Sequence, residues 1–372
     1  MVLRASLLSL LFVSPLFVAC SQDHSILAPS TTSSGGSTTG AGGDTSGTTT
    51  GTGGAGADTS TTSTGTGGAE PIGPTKLTIV NGVPDYDAIR VCFQPYPSGP
   101  SVTPWPAQTS GVAFSKAVVV DPMTVAPGYD VQPFVLAGDL TAIAGKSCDA
   151  AIALAASGSG GAGGSGGAGG STGAPPPVVA SPMPVIPASV FTAEKSLLLV
   201  FYGCLGGPGH DDPSAQLGCG FAYTPETPTA SLALVAMSRK TTQKAIALEA
   251  VHASAAMQPS DIRFGPGFDM GQDIPFVTNI ALGGLAPKPP FFGMARADFG
   301  SLTTASIKVY QPNTASPLSA QLLPDVLGKS GVKDTDFADG SAFTFVGVGG
   351  YPGVPAQAFW RAFTFTMVKS DP

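Results

Sequence analysis

An internal duplication is the feature that most restricts what this chain can fold into. Residues 77–91 resemble residues 248–264, because each segment has an apolar run, a turn of small and polar residues, and a second run that ends in Ile, Arg and an apolar residue. Later segments correspond in the same order, namely 112–115 with 280–283, 131–134 with 307–310, 191–200 with 337–346, and 230–237 with 362–368. Internal repeats indicate repeated structural units. We therefore expect two copies of one module, at residues 73–240 and 241–372.

Apolar side chains alternate with polar or small ones inside these segments. Every second residue is apolar in 89–94 and again in 362–367, and a period of two is typical of a strand with one buried face. The chain contains 50 Gly and 35 Pro, and only 11% of its residues are charged, which is typical of short strands separated by turns. The pattern predicts an all-β protein with two tandem Ig-like antiparallel β-sandwich modules.

Three stretches need separate interpretation. Residues 240–257 and 146–156 have a composition that favours helix. The repeat outweighs propensity at 240–257, whose counterpart near 77–80 resembles a strand, whereas a short helix is compatible with 146–156. The Gly/Ser/Ala-rich run 157–177 falls between strands of one copy, so we interpret it as an insertion in a surface loop rather than as a domain linker.

The first 72 residues predict export and a tether. Residues 1–19 carry Arg4, an apolar stretch too short to span a bilayer, and the small residue Ala19, which is typical of a removable signal peptide. Residues 16–20 resemble the lipobox of bacterial lipoproteins, which implies lipid attachment at Cys20. Ordinary signal cleavage with a free product is the alternative, because residues 19–21 also fit a small-x-small site. Residues 20–72 are rich in Ser, Thr and Gly and are expected to form a disordered tether.

The lipobox resemblance implies that the protein is anchored in a membrane through palmitate or similar acyl chains on Cys20. Ser21, rather than an acidic residue, follows Cys20, and resemblance to known lipoprotein sorting then implies the outer membrane of the cell envelope. The net charge of −7, without a Lys/Arg cluster, argues against nucleic acid as a partner, because phosphate binding needs positive charge.

Four cysteines remain once Cys20 is set aside, namely Cys92, Cys148, Cys204 and Cys219. An even number in an oxidising compartment predicts two disulfides, for which three pairings exist. The two ends of the Gly/Pro-rich loop between Cys204 and Cys219 must meet if it joins neighbouring strands, which favours that pair and leaves Cys92 with Cys148. A metal site is the alternative, but no CxxC pair or His partner at ligand spacing occurs, so no metal or other cofactor is expected.

Short motifs in both copies resemble the bacterial domain-of-unknown-function family 4397. Residues 251–264 contain the sequence VHAS, a turn with Pro and Asp, and the sequence IRF, and residues 80–91 keep this pattern more loosely. Residues 125–131 look like a further segment of the family, whereas the second copy has 299–304 at that place. The resemblance implies an exported or surface-anchored protein with tandem modules. It implies no catalytic residues.

Aromatic residues in Pro-rich loops are the candidate ligand-binding residues. Tyr96 and Trp105 lie in such a loop of the first module, and Phe291 and Phe292 follow two prolines in the second. Aromatic side chains on the loops of a rigid sandwich commonly hold sugars or peptides. They suggest a glycan or protein ligand, and the alternative is that they cover the core of their own module.

One polar cluster offers acid/base or ligand chemistry, the consecutive residues His210, Asp211 and Asp212. Three adjacent side chains do not easily converge on one ion, and an exposed loop tip explains them equally well. For His252 we expect a hydrogen-bonded structural role. The GxGxxG match at 51–56 and the GxSxG match at 163–167 lack the required strand and helix context and reflect composition. The sequence therefore predicts a non-enzymatic envelope lipoprotein with a binding or structural role; the alternative is a metal-binding protein or metal-dependent hydrolase that uses the 210–212 loop.

Overall fold

The computed structural model describes residues 74–158, 177–191, 194–239, 241, 243–265, 272–287, 291–357 and 359–370. The predicted signal peptide, Cys20, the tether and most of the insertion at 157–177 lie outside these residues. Within the described part of the chain, no helix is long and apolar enough to cross a membrane.

Residues 76–237 form two four-stranded sheets. The strands are β1 (Lys76–Gly82), β2 (Ala88–Pro95), β3 (Val112–Ala113), β4 (Ala117–Val120), β5 (Val131–Ala137), β6 (Val179–Pro182), β7 (Ser196–Tyr202) and β8 (Ser231–Met237). The inner sheet of this first module has the order β4-β1-β7-β8, and the outer sheet has the order β3-β2-β5-β6. The helices are α1 (Pro122–Val125), α2 (Cys148–Gly158) and α3 (Ala215–Cys219), with a 3-10 turn at Ala188–Phe191.

Residues 246–369 form a second pair of sheets. The strands are β9 (Ile246–Ala253), β10 (Ser260–Gly265), β11 (Ile274–Ile280), β12 (Leu285–Ala286), β13 (Phe292–Met294), β14 (Ser306–Tyr310), β15 (Pro317–Leu322), β16 (Ala342–Val348) and β17 (Thr364–Lys369). The inner sheet of this second module has the order β12-β9-β16-β17, with β13 also paired to β9, and the outer sheet has the order β11-β10-β14-β15. Helix α4 (Leu323–Ser330) and a 3-10 turn at Arg296–Phe299 complete it.

The all-β prediction is confirmed, because the described residues are mostly strands in four sheets. One pair in each module, β1 with β7 and β9 with β16, is parallel, whereas we expected antiparallel pairing throughout. The strands of the outer sheet intervene in sequence between β1 and β7, so the chain can return in the same direction. Parallel neighbours require such a crossover.

The pairing register is the same in both pairs of sheets. Val80 pairs with Val200, and Val251 pairs with Val346, as the sequence correspondence between the copies requires. One correspondence is shifted by four residues: Arg90 pairs with Leu136 and Arg263 with Lys308, so 135–138 rather than 131–134 match 307–310. The apolar run of β5 is longer than that of β14, and periodicity alone therefore fits both registers.

The four sheets stack as successive layers. Alternate residues of β7 point to opposite sides, so that Leu197 and Leu199 join the core of the first module while Leu198 and Val200 join a second apolar layer with the inner sheet of the second module. All residues of β7 and of β16 are buried. A strand buried on both faces has no polar alternation, which explains the continuous apolar run of β7.

Burial explains the structure of the two stretches, 240–257 and 146–156, whose composition favours helix. Residues 246–253 form β9, which is buried at every position, so the strand prediction for this stretch is correct although its propensity favours helix. At 148–158 the chain forms α2, whose Ala151 and Ala155 pack with Leu136 on the outer face of the first module. A helix there covers apolar side chains that would otherwise contact water.

Candidate functional site

Two disulfides fix the loops of the first module. Cys92 is bonded to Cys148 and Cys204 to Cys219, with Cα–Cα distances of 5.6 and 5.2 Å. This is the pairing that the loop argument favours. All four residues are fully buried, so both bonds belong to the structural kind rather than to exposed redox sites.

The four aromatic candidates do not form one surface. The Tyr96 side chain is 48% exposed, whereas Trp105 is half-buried, packs against the core of the first module and pairs with Val91. Phe291 and Phe292 are half-buried, and the Phe292 ring lies 5.5 Å from that of Phe276 in the second core. Tyr96 is thus the most exposed of the four residues, while Trp105 and Phe292 cover their own modules.

The loop that carries Trp105 is held from beneath by Arg90. The Arg90 Nε donates to the carbonyl oxygen of Pro106 at 2.8 Å, and its Nη2 donates to that of Pro104 at 2.7 Å. The period-two pattern places Arg90 on the strand face opposite to the core. The pattern does not predict that Arg90 is buried there. The loop therefore has a fixed shape without regular secondary structure.

The structure does not bring His210, Asp211 and Asp212 together. His210 is 7% exposed, and its Nδ1 lies 3.3 Å from the Oδ2 of Asp85. Asp211 and Asp212 are exposed, and hydrogen bonding from Ser214 lowers the pKa of Asp212. Among the described residues no group of three His, Cys, Asp or Glu side chains is arranged to hold a metal ion.

Asp85 is the partner that sequence reasoning missed. Its carboxylate accepts hydrogen bonds from the backbone N–H groups of Leu205 at 3.2 Å and Gly206 at 2.9 Å, in addition to its contact with His210. It lies 125 residues before His210 in the chain, so no spacing rule links the two. Its position inside the motif-like segment 80–85 was the available signal.

Aromatic rings enclose the His210 imidazole. The ring of Phe359 stacks on it at 4.6 Å and that of Tyr86 lies tilted at 4.9 Å. The hydroxyl of Tyr86 donates to the Gly206 carbonyl, that of Tyr223 donates to the His210 carbonyl, and burial raises the pKa of both phenols. Both hydroxyls bond to main-chain carbonyl oxygens, so they help to order the disulfide loop.

Residues of the second module also contact the loop between Cys204 and Cys219. Trp360 is fully buried, and a Cβ added to Gly218 would lie 2.3 Å from its Cγ. The indole N–H donates to the Ser214 hydroxyl at 3.3 Å, and the Tyr351 N–H donates to the Leu217 carbonyl at 2.6 Å. Only a residue without a side chain fits under the indole, so Gly218 is required by this contact.

A buried polar group joins the modules at the other end of their inner sheets. The Arg239 Nε donates to the Ser196 hydroxyl at 2.9 Å, and its Nη2 donates to the Pro74 carbonyl at 2.6 Å. The Ser196 hydroxyl donates to the carbonyl oxygen of Ser370 at 2.8 Å. Arg239 is fully buried, and it connects the first described residues to both modules.

His252 has the structural role that we predicted for it. Its Nδ1 accepts from the Ser254 N–H and its Nε2 lies 3.3 Å from the Met257 carbonyl oxygen. Burial lowers the pKa of His252 to about 4, so the ring is neutral at pH 7.

No family model matches the chain, and no curated protein is significantly similar to it.

Proposed function

We propose that the protein is an exported lipoprotein, held at the cell envelope through Cys20, whose folded body is a non-enzymatic binding or structural component. The observation that carries this proposal is the lipobox-like sequence at 16–20, which ends at Cys20. Pro74 is bonded to Arg239, which connects it with Ser196 and Ser370 at one end of the inner sheets. A tether that ends at Pro74 would hold the body by this end. Strands β1 and β7 run in parallel away from it, so the loops that follow these strands face away from the point of attachment.

Two buried disulfides support export. Disulfides persist in oxidising compartments and are rare where thiols are kept reduced. Cys92–Cys148 joins parts of the first module that are 56 residues apart in the chain, and Cys204–Cys219 closes a loop with a sequence separation of 15.

The exposed Tyr96 supports a binding role. Its N–H donates to the Asp130 carbonyl at 2.9 Å, and beside it the Gln94 side chain donates to Asp149 at 2.8 Å. An aromatic ring on an ordered loop loses little conformational entropy when it contacts a ligand. We therefore assign Tyr96 to the ligand surface, and Trp105 and Phe292 to the packing of their own modules; Phe291 is half-buried.

Metabolic labelling tests the anchor. Cells that express the full chain are fed an alkyne analogue of palmitate, and we expect label on the wild type, none on Cys20→Ala, and recovery of the wild type in the membrane fraction. Ser21→Asp is the matched control, because it keeps the lipidation site. An unlabelled wild type that is released into the medium would contradict the anchor.

A glycan array tests the binding role. The full chain is compared with Tyr96→Ala and with the control Phe221→Ala, which changes a 66% exposed aromatic residue two positions after Cys219. We expect Tyr96→Ala to weaken binding of the recognised glycan at least tenfold, as for an aromatic contact residue, and Phe221→Ala to bind like the wild type. Equal binding by both variants would remove Tyr96 from the ligand surface, and an array without any bound glycan would count against a glycan ligand.

A further inference from the structure

Arg90 is a buried cation with an incomplete set of partners. The residue is 3% exposed. Its Nε and Nη2 donate to the carbonyl oxygens of Pro104, Pro106 and Ala107, at distances from 2.7 to 3.4 Å. Its Nη1 is also buried and has no hydrogen-bond partner among the described residues. No ion pair within the described part of the chain includes Arg90.

The second module shows how the equivalent arginine is neutralised. Arg263 occupies the position in the second module that Arg90 occupies in the first. Each arginine follows an Ile, and these two Ile residues pair with the equivalent strands β3 and β11. The Nη2 of Arg263 lies 3.5 Å from the Asp261 carboxylate, and its guanidinium lies 4.1 Å from the ring centre of Tyr310. The matching positions of the first module hold Ala88 and Gly138. The first copy therefore has the cation without the carboxylate and without the aromatic ring.

A buried guanidinium without an anion is costly, because its charge has left water and carbonyl dipoles replace only part of the hydration. Arginine does not relieve the cost by losing its proton. Burial lowers the pKa of Arg90, which agrees with an environment that disfavours the charge. An anion at Nη1 would both complete the hydrogen bonds and neutralise the cation.

The Pro104–Ala107 loop lies over part of Arg90, because the Nε and Nη2 groups donate to its carbonyl oxygens. In this loop Ala107 is exposed and Pro106 is half-buried. Oxyanions form short charge-assisted hydrogen bonds with guanidinium N–H groups. We propose that Arg90 is a binding site for an oxyanion, a carboxylate or a sulfate, which the Nη1 group contacts beneath this loop. The proposal does not depend on a ligand role for Tyr96 or on the lipid anchor.

Thermal unfolding at constant ionic strength tests the site. The Tm of the full chain in sodium chloride is compared with its Tm in sodium acetate and in sodium sulfate. All three measurements are repeated with Arg90→Gln and with the matched control Arg263→Gln. At ten times the dissociation constant we expect acetate or sulfate to raise the Tm by about 2–4 °C beyond its effect on Arg90→Gln. Arg263→Gln should keep the full rise. A rise with one anion alone supports the site and tells a carboxylate from a sulfate.

Crystals of the wild type soaked in sodium selenate provide the second measurement, which is decisive even if Arg90→Gln does not fold. We expect an anomalous peak within about 4 Å of Nη1, the range of a hydrogen-bonded oxyanion. Density for a water molecule alone at Nη1 in crystals soaked with sodium selenate and in crystals soaked with sodium acetate, or an equal Tm rise in the wild type and Arg90→Gln, would overturn the proposal.

Discussion

Asn81 and His252 hold the same position in the two modules and accept the same hydrogen bond. The Asn81 Oδ1 accepts from the Val83 N–H at 3.0 Å, and the His252 Nδ1 accepts from the Ser254 N–H at 3.3 Å. Each is fully or almost fully buried at the end of the first strand of its module. The fold therefore requires a side-chain acceptor here, and the two copies meet this requirement with different chemistry.

This equivalence makes one module sensitive to acid. The pKa of His252 is about 4 in the folded protein, against about 6.5 in an unfolded chain. The unfolded state therefore takes up the proton first, so the contribution of His252 to stability is complete above pH 6.5 and is lost as the pH falls toward 4. The loss approaches about 3 kcal/mol.

His252→Asn tests this prediction, because Asn is the residue of the first module and does not titrate. Urea unfolding between pH 7 and pH 4 should give a smaller loss of stability for His252→Asn than for the wild type. Carboxylates titrate in both proteins and cancel in the comparison. Identical pH profiles would contradict the role of His252.

Trp360 and Gly218 should behave as a coupled pair. Trp360→Ala leaves a cavity and is expected to lower the free energy of unfolding by about 3–5 kcal/mol. Gly218→Ala forces a Cβ into the indole and destabilises by overpacking. In the double variant the new methyl group occupies space left by the indole, so its cost should be less than the sum of the two. Additive costs, measured by denaturant unfolding, would argue against the direct contact.

Arg239 should matter more than an exposed arginine between the same modules. Arg239→Leu removes the charge-assisted hydrogen bonds to Ser196 and Pro74 and leaves the Pro74 carbonyl without that donor. We expect a loss of about 2–4 kcal/mol in the free energy of unfolding. Arg361, which forms a largely exposed ion pair with Asp87, is the control, and Arg361→Leu should cost about 1 kcal/mol or less for the ion pair. Equal losses in urea unfolding would contradict a special role for Arg239.

The Cys204–Cys219 bond should stabilise the loop without being accessible in the folded state. It closes a loop with a sequence separation of 15, and its replacement by two serines is expected to cost about 3 kcal/mol. Both residues are fully buried. Mild reduction followed by iodoacetamide should therefore label Cys204 and Cys219 when both steps are carried out in urea, and should leave them unlabelled when both steps are carried out in buffer. Rapid labelling of the native protein would show that the loop opens.

The predictions from sequence succeeded where the signal was local or repeated. Alternation in 89–94 identified a strand, and the duplication outweighed helix propensity at 246–253. The disulfide pairing followed from the need to close one loop. For Trp105 the sequence allowed both a ligand contact and a core contact. The structure shows the core contact, because Trp105 pairs with Val91 and packs against the core of the first module.

Local sequence patterns were enough to establish the all-β class and the repeated order of strands, because period-two alternation and self-similarity are properties of short segments. Three features came from tertiary packing instead: β7 is buried on both faces, His210 meets Asp85, and Trp360 rests on Gly218. These contacts join residues far apart in the chain. The packing of whole sheets and loops selects such partners, and no local pattern of residues encodes which distant side chain will lie opposite.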